Sequence, residues 1–180
     1  MTEEKKFNVL FGILSSEQQT LQRADQKAFT MLSLLGVFAV FFIVHYTKIP
    51  PNKFNLVCIF LYFLSVIVSI YFLVMVVVPR VKDVEINPEP EKKRILPTFF
   101  GGIVRYKSAE EYSKQLSLLL ENSEETYETF ARSVYSIGRI NAFKHKYLKY
   151  GIISFVIAIA LEFTVAVSLY ANLVIVGFSE

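Results

Sequence analysis

Reactive and metal-binding residue types are scarce in this sequence. It contains one cysteine, two histidines and no tryptophan. A single cysteine excludes an intrachain disulfide, and we interpret Cys58, which lies within an apolar run, as a small packing residue. His45 and His145 lie far apart, and neither has a cysteine or a carboxylate at the spacing of metal ligands. We therefore predict no metal site and no disulfide framework.

Catalytic groupings are also missing. The sequence has no Ser-His-Asp or Cys-His arrangement in a suitable context, and Gly101-Gly102 is too short to form a glycine-rich phosphate loop. We predict a non-enzyme that carries no cofactor. A small constitutive channel or transporter subunit and a non-enzymatic membrane adaptor remain open as alternatives at this point.

Charge is absent from two long stretches of the chain. Residues 28–46 and 54–78 contain no Asp, Glu, Lys or Arg, and a third stretch, 150–178, contains only Glu162. A hydrocarbon core of about 30 Å requires roughly 20 apolar residues at a helical rise of ~1.5 Å per residue. Buried soluble helices rarely remain uncharged for so long. The three stretches therefore predict an integral membrane protein.

The fold class that follows is an all-α membrane protein with three transmembrane helices. Two of these helices are expected to be continuous with cytosolic helices, and a small cytosolic helical layer completes the chain. The predicted segments are a cytosolic N-terminal helix at 1–27, the first span at 28–46, an external hairpin at 47–53, the second span at 54–78, a cytosolic connector with helices at 79–149, and the third span at 150–178.

The distribution of basic residues predicts the orientation. Lysines and arginines lie mainly before the first span and between the second and third, whereas Lys48 and Lys53 alone lie in the loop after the first span. By the positive-inside rule, the N-terminus is cytoplasmic and the C-terminus is external. Residues 1–27 are too polar for a cleaved export signal, so we expect the first span to be an uncleaved anchor of a multi-pass inner-membrane protein.

Helix starts and stops can be read from capping patterns. Ser15 and Ser16, each followed three residues later by a glutamine, predict a helix start. Ser108-Ala109-Glu110-Glu111 predicts a second start, for a helix that ends near Asn122-Ser123. Residues 80–106 contain three prolines and are interpreted as a connector that is open to a short strand pair.

The chain after this short helix shows a helical spacing of apolar residues. From Glu124 onward no proline intervenes before the third span, so a single long helix is predicted to run into the membrane, with Gly138 and Gly151 as possible bends.

Three short segments stand out near the predicted membrane boundaries and in the connector. They are Ala24-Asp25-Gln26-Lys27-Ala28, Phe99-Phe100-Gly101-Gly102-Ile103, and Ile140 with Lys144, Lys146, Tyr147 and Leu148. These segments resemble the transmembrane Pycsar effector family of bacterial anti-phage defence, and their order and spacing match across most of the chain. The resemblance implies that a partner nucleotide cyclase senses infection and makes a cyclic pyrimidine mononucleotide, which is the activating ligand. It also implies that the membrane effector then impairs the inner membrane.

The basic residues of the cytosolic segment are candidates for binding the phosphate of such a ligand. Residues 79–149 contain thirteen Lys and Arg against ten Asp and Glu, which is too balanced for a nucleic-acid surface. Cations that neutralise a phosphate and a tyrosine that stacks a base would form a pocket. The alternative is that these cations only set topology and touch anionic lipids. The predicted ligand residues are Arg105, Tyr106, Arg132, Arg139, Lys144 and Lys146.

Asp25 and Lys27 lie just before the first span and are predicted to act in a switch. Helical residues two apart point in different directions, so the two side chains must have different partners. Asp25 could accept from Arg139 or Lys144 and lock a resting state. The alternative is an exposed helix start without such a role.

Glu162 is the one residue among Asp, Glu, Lys and Arg that lies within the spans. An ionisable group at the centre of a membrane costs about 2.5–3.5 kcal/mol on insertion scales, so it should face other helices or water. One interpretation is a ring of Glu162 carboxylates that lines an oligomeric pore, another is a protonated Glu162 that holds helices together, and a third is a tolerated residue without a role. Three spans are too few to enclose a wide aqueous path, so the pore interpretation predicts a homo-oligomer.

Overall fold

The described part of the protein is helical throughout. The computed structural model describes residues 3–49, 52–78, 103–104 and 106–177. Within these residues no strand is present, and the all-α prediction is confirmed. The elements are α1 (Glu3–His45), a 3-10 turn (Tyr46–Lys48), α2 (Lys53–Val77), α3 (Ala109–Glu121) and α4 (Ser123–Gly177).

Three of these helices are long and apolar enough to cross a membrane, namely α1, α2 and α4. At ~1.5 Å per residue, the 43 residues of α1 and the 55 residues of α4 extend over roughly 65 and 83 Å, well beyond a hydrocarbon core of about 30 Å. Large apolar side chains such as Val37, Phe60 and Val167 are exposed along the spans. Exposed apolar surface of this kind suits contact with lipid, so the chain is a membrane protein.

The start of α2 is set by a polar cap. Asn52 has an extended backbone, and its side-chain oxygen accepts a hydrogen bond of 2.7 Å from the Asn55 backbone N–H. This bond satisfies one of the four N–H groups that a helix start leaves unpaired. Pro50 and Pro51, in the middle of the predicted hairpin at 47–53, lie outside the described residues, and so do the predicted strand pair and most of the 80–106 connector.

The predicted helix start at Ser15 and Ser16 is wrong, because α1 already begins at Glu3. The first turns of α1 are stabilised by packing. The Phe7 ring lies edge-on to Tyr127 with centroids 6.3 Å apart, and the Phe11 ring lies edge-on to Phe130 at 5.3 Å. Tertiary packing supplies most of the stability of helices in proteins, and here it extends the helix past a local capping signal.

The chain divides into two compact units. The α3 unit consists of residues 1–22 and 79–143, and the span unit consists of residues 23–78 and 144–180. Helices α1 and α4 each contribute to both units, and Lys27 and Lys149 are helical.

Two apolar clusters form the core of the span unit. Helices α2 and α4 approach closely, since the Ser69 hydroxyl on α2 donates a 3.1 Å hydrogen bond to the Gly151 carbonyl on α4. The first cluster contains Leu35, Phe42, Cys58, Tyr62, Val66, Phe155, Ala158 and Val165. The second contains Ala24, Ala28, Leu73, Val76 and Leu148.

Both ends of α3 lie where the sequence predicts them. The Ser108 hydroxyl accepts a 3.1 Å hydrogen bond from the Glu111 N–H, and the Glu111 carboxylate accepts one of 3.1 Å from the Lys107 N–H. Asn122 ends the helix, and its side-chain oxygen accepts from the Glu124 N–H at the start of α4. The capping prediction at Ser108 is therefore confirmed.

We expect Ser108→Ala to destabilise α3 by about 1 kcal/mol, the typical cost of losing an N-cap hydroxyl. Hydrogen exchange of the α3 amides should accelerate accordingly. Ser117→Ala on the same helix is the matched control, because the Ser117 hydroxyl is exposed and bonds only the Ser113 carbonyl. Equal exchange rates in the two variants would contradict this assignment of the cap.

The start of α3 should also be sensitive to acid. Hydrogen bonds from its own backbone N–H and from Ser108 lower the pKa of Glu110 below its ordinary value of 4.5. Because the pKa is lower in the folded protein, the ionised carboxylate stabilises the helix start above pH 4.5, and this contribution is lost as the pH falls through the lowered value.

Candidate functional site

An ion pair between Asp25 on α1 and Lys144 on α4 lies in the span unit. The Lys144 ammonium donates to a carboxylate oxygen of Asp25, and the two side chains are 9% and 28% exposed. Ala24 and Ala28 flank Asp25 and are almost fully buried, and Leu148 lies one helical turn beyond Lys144. The small alanines let the two helices approach closely, so the pair is held beside the second apolar cluster.

Because the pair is partly buried, it matters for the free energy of unfolding. Lys144 is one of the two partners that the sequence predicts for Asp25. Removing either charge of a buried ion pair destabilises a protein, because the remaining charge is then buried without a partner. Lys27 is exposed, as the different directions of residues 25 and 27 require. The role of Asp25 and Lys27 in a switch stays a prediction.

The other predicted ligand residues have different surroundings. Arg132 contacts Glu128 one turn earlier on α4, and both side chains are exposed. Arg139 and Lys146 are exposed, and Arg105 lies outside the described residues. Lys144 and Arg132 are thus each paired with a carboxylate, so an incoming phosphate has to compete with that carboxylate.

Tyr106 precedes α3 and is half-buried. Its ring lies edge-on to Tyr112, with centroids 5.4 Å apart. Burial raises the pKa of Tyr106, and Tyr112 and Glu111 add to the effect, so its hydroxyl remains a hydrogen-bond donor at neutral pH. The Tyr106 ring, which is predicted to stack on a base, is therefore uncharged at neutral pH.

Sequence reasoning missed a polar contact in the α3 unit. The Asn141 side-chain amide donates to the Glu17 carbonyl at 2.8 Å and to the Glu17 carboxylate at 2.6 Å. Asn141 is buried, and its own side-chain oxygen has no hydrogen-bond partner in the described structure. Positions 137, 141, 144 and 148 recur at steps of four, three and four, which places them on one face of a helix. The structure shows that all four are buried, so this spacing was the one sequence signal that could have pointed to Asn141.

Glu162 lies inside the span unit and is only 6% exposed. Neither carboxylate oxygen has a hydrogen-bond partner of ordinary geometry, and the same holds for the Tyr62 hydroxyl, which lies close enough to Glu162 to interact electrostatically. An inward-facing carboxylate favours the interpretation that Glu162 holds helices together over the interpretation that it lines an oligomeric pore.

Over the described residues, the fold and these polar contacts define a helical membrane protein with three candidate spans and with an ion pair, Asp25–Lys144, between two of its long helices. A family model, PycTM, the Pycsar effector protein domain, matches residues 9–172. The chain therefore belongs to the Pycsar effector family of cyclic-nucleotide anti-phage effectors, and the resemblance seen in three short segments is confirmed. The chain matches no curated protein and no solved structure.

Proposed function

We propose that the protein is a membrane effector that a cyclic pyrimidine mononucleotide from a partner cyclase activates, and that the activated protein impairs the bacterial inner membrane and causes growth arrest or cell death. The observation that carries this proposal is the family match over residues 9–172. The protein acts without catalysis, as a multi-pass protein with a cytoplasmic N-terminus and an external C-terminus.

The Asp25–Lys144 pair supports a mechanism for activation. A cyclic mononucleotide carries one phosphate anion, and Lys144 is a largely buried cation held by a single carboxylate. When the phosphate takes the place of Asp25, the contact between α1 and α4 at this level is released. The equilibrium lies between the resting state, which has the Asp25–Lys144 contact, and a state in which this contact is released. A ligand shifts it only by its difference in affinity for the two states. An anion that replaces Asp25 binds the released state better, because Lys144 is available only there.

A role of Tyr106, Lys146, Arg105, Arg132 and Arg139 in binding the ligand stays a prediction from the sequence. Helices α1 and α4 are unbroken at Lys27 and Lys149. A shift at the ligand site is then passed along continuous helices to the spans.

Membrane damage in this proposal requires a homo-oligomer. The part of one chain that the structure describes forms three candidate spans, which are too few to enclose a wide aqueous path. Several copies would associate in the bilayer through the exposed apolar surfaces of the spans, such as those at Val37 and Phe60.

Growth and membrane potential test the proposal. The protein is produced in bacteria alone, with an active cyclase for each cyclic pyrimidine mononucleotide, and with the same cyclases inactivated. We expect no effect of the protein alone, and depolarisation followed by growth arrest with one active cyclase. Depolarisation without any cyclase would indicate a constitutive channel. If the protein accumulates normally in the membrane but no active cyclase changes the membrane potential, the result would favour an adaptor.

A further inference from the structure

The part of α1 that precedes its uncharged apolar stretch has very few charged residues. Residues 28–46 form that stretch, so residues 7–22 lie before the hydrocarbon core. An ordinary soluble domain has about 25% charged residues, which corresponds to about four in a segment of this length. The segment contains one, Glu17, whose carboxylate accepts a hydrogen bond from the Asn141 amide on α4. The side of α1 that points away from α4 is therefore uncharged over about four helical turns.

This uncharged side is the outer face of α1. It is centred on Val9, Gly12, Ser16 and Gln19, with Ile13 beside them, and all five residues are exposed. The four central positions recur at steps of three, four and three, which places them on one side of a helix. Val9 and Ile13 lie one turn apart and are 56% and 44% exposed. The outer face thus presents apolar side chains among small and uncharged polar ones.

The other helices of the α3 unit have charged residues on their exposed sides. Solvated faces of helices typically carry charge, whereas the centres of protein interfaces are depleted in it. The outer face of α1 therefore has the charge pattern of an interface. The exposed charged residues elsewhere in this unit include Glu110, Lys114 and Glu121 on α3, and Glu128, Arg132 and Arg139 on α4.

The outer face also leaves room for a close partner. A Cβ added at Gly12 would meet no atom within 4 Å. Small residues such as Gly12 and Ser16 at the centre of a helix face let the backbone of a second helix approach. Alternating steps of three and four residues are the heptad spacing with which two long helices pack side by side. The partner that this geometry fits is another long helix.

A second copy of the chain supplies such a helix in the right direction. Copies of one chain enter a bilayer with the same orientation, so the α1 helices of two neighbours run parallel. In a parallel contact each central position faces its own copy, and a charge there would meet a like charge. The outer face has no such charge, and two Gln19 side-chain amides can donate to and accept from each other. Because both copies are anchored in one bilayer, their effective concentration is high and a contact of modest area suffices.

We propose that two copies of this protein associate through the outer faces of their α1 helices, in a parallel contact outside the bilayer. The contact is present in the resting protein and needs no nucleotide. Lys5 and Arg23, both exposed, lie at its two ends. The contact supplies the homo-oligomer that membrane damage requires, and this last link alone rests on the proposed function.

Disulfide cross-linking in membranes tests the contact. A disulfide requires two Cα atoms about 4.4–6.8 Å apart, a separation that facing positions of two packed parallel helices can reach. Gln19→Cys places a thiol at the centre of the outer face, and Gln18→Cys places one at the adjacent exposed position, on another side of α1. Under mild oxidation we expect a disulfide-linked species of twice the chain mass in Gln19→Cys. Gln18→Cys and wild type, whose single Cys58 is buried, should give none.

The remaining results of this experiment overturn the proposal. Equal cross-linking of Gln18→Cys and Gln19→Cys would reflect random collisions. A cross-linked species of a different mass would assign the outer face to another protein. If Gln19→Cys neither cross-links nor reacts with a maleimide, another segment of the same chain covers the face. If it reacts with a maleimide and does not cross-link, the face has no partner.

Charged variants of Gln19 test the contact without an added thiol. Gln19→Lys and Gln19→Glu each place like charges opposite one another, so each variant alone should lose the dimer when its mass is measured in lipid nanodiscs. Gln18→Lys should keep it. Produced together with different tags, the two Gln19 variants should form a mixed dimer, which misfolded proteins would not do. A dimer in Gln19→Lys alone, or no mixed dimer, would overturn the proposal.

Depolarisation of cells with the active cyclase separates this inference from the proposed function. Gln19→Lys should fail to depolarise the cells, and Gln18→Lys should act as wild type does. A monomeric Gln19→Lys that depolarises cells fully would overturn the homo-oligomer of the proposed function and leave the α1 contact supported. A wild type that never depolarises cells overturns the proposed function, and cross-linking, which needs no nucleotide, still decides the contact.

Discussion

Asp25→Ala is expected to activate the protein without a nucleotide and to lower its free energy of unfolding. Removing one partner of a buried ion pair costs about 3–5 kcal/mol, and we expect the lower end because the Asp25 side chain keeps 28% exposure. Lys144 is then left buried without compensation, so the resting contact between α1 and α4 is lost. Cells that produce this variant should depolarise and stop growing in the absence of any cyclase.

The chain offers an internal control for this prediction. Glu128→Ala breaks the ion pair with Arg132, in which both side chains are exposed and four residues apart on one helix. Such pairs contribute about 0.3–0.5 kcal/mol to stability, so this variant should stay as stable as wild type and should not depolarise cells without a cyclase. The double variant Asp25→Ala/Lys144→Met removes both charges and should recover thermal stability relative to Asp25→Ala.

Thermal denaturation in detergent and nucleotide-free growth are the two measurements. If Asp25→Ala behaves like Glu128→Ala in both, the ion pair has no role as a lock. If Asp25→Ala lowers stability but the cells grow normally, the pair is a structural contact and the switch lies elsewhere.

Gly151→Ala is expected to separate α2 from α4. A Cβ at this position would meet Leu73 Cδ2 at 2.8 Å and Leu73 Cγ at 3.0 Å. Leu73 is fully buried in the second apolar cluster, so it has no free space to move into. Overpacking of this kind costs about 1–3 kcal/mol, and it should also strain the hydrogen bond from Ser69 to the Gly151 carbonyl.

Gly36→Ala is the matched control on α1, because a Cβ there meets nothing within 4 Å. It should leave the midpoint of thermal denaturation unchanged or raise it slightly, since alanine favours helix over glycine by up to about 1 kcal/mol. Gly151→Ala should lower the midpoint. Similar midpoints in the two variants would show that α2 and α4 do not approach closely at Gly151.

Helix ends could be predicted only where local chemistry decides them. Ser108 and Asn122 satisfy backbone groups within three residues of themselves, so the bounds of α3 can be read from the sequence. Ser15 offers a similar local pattern, yet α1 passes through it. The ring contacts of Phe7 and Phe11 join residues more than a hundred positions apart, and no local pattern reveals them.

The sequence narrowed the partner of Asp25 to two residues, Arg139 and Lys144, but could not choose between them. In the structure the two lie on different faces of α4, and only Lys144 contacts Asp25. Lys144 lies on the buried face of α4 with Asn141, whereas Arg139 is exposed. Glu162 was found from its position in an apolar stretch, but the side of α4 that carries it depends on how three helices pack, so its neighbours could not be predicted.

Cys58 has a practical consequence for detecting the switch. It is the chain's single thiol, and it is buried in the first apolar cluster, between the spans. A buried sulfur is out of reach of a reagent dissolved in water, so a maleimide should not label the resting protein. Any state in which the spans part and water enters would expose that sulfur. The native sequence thus supplies an intrinsic chemical reporter of opening, with no competing cysteine to remove.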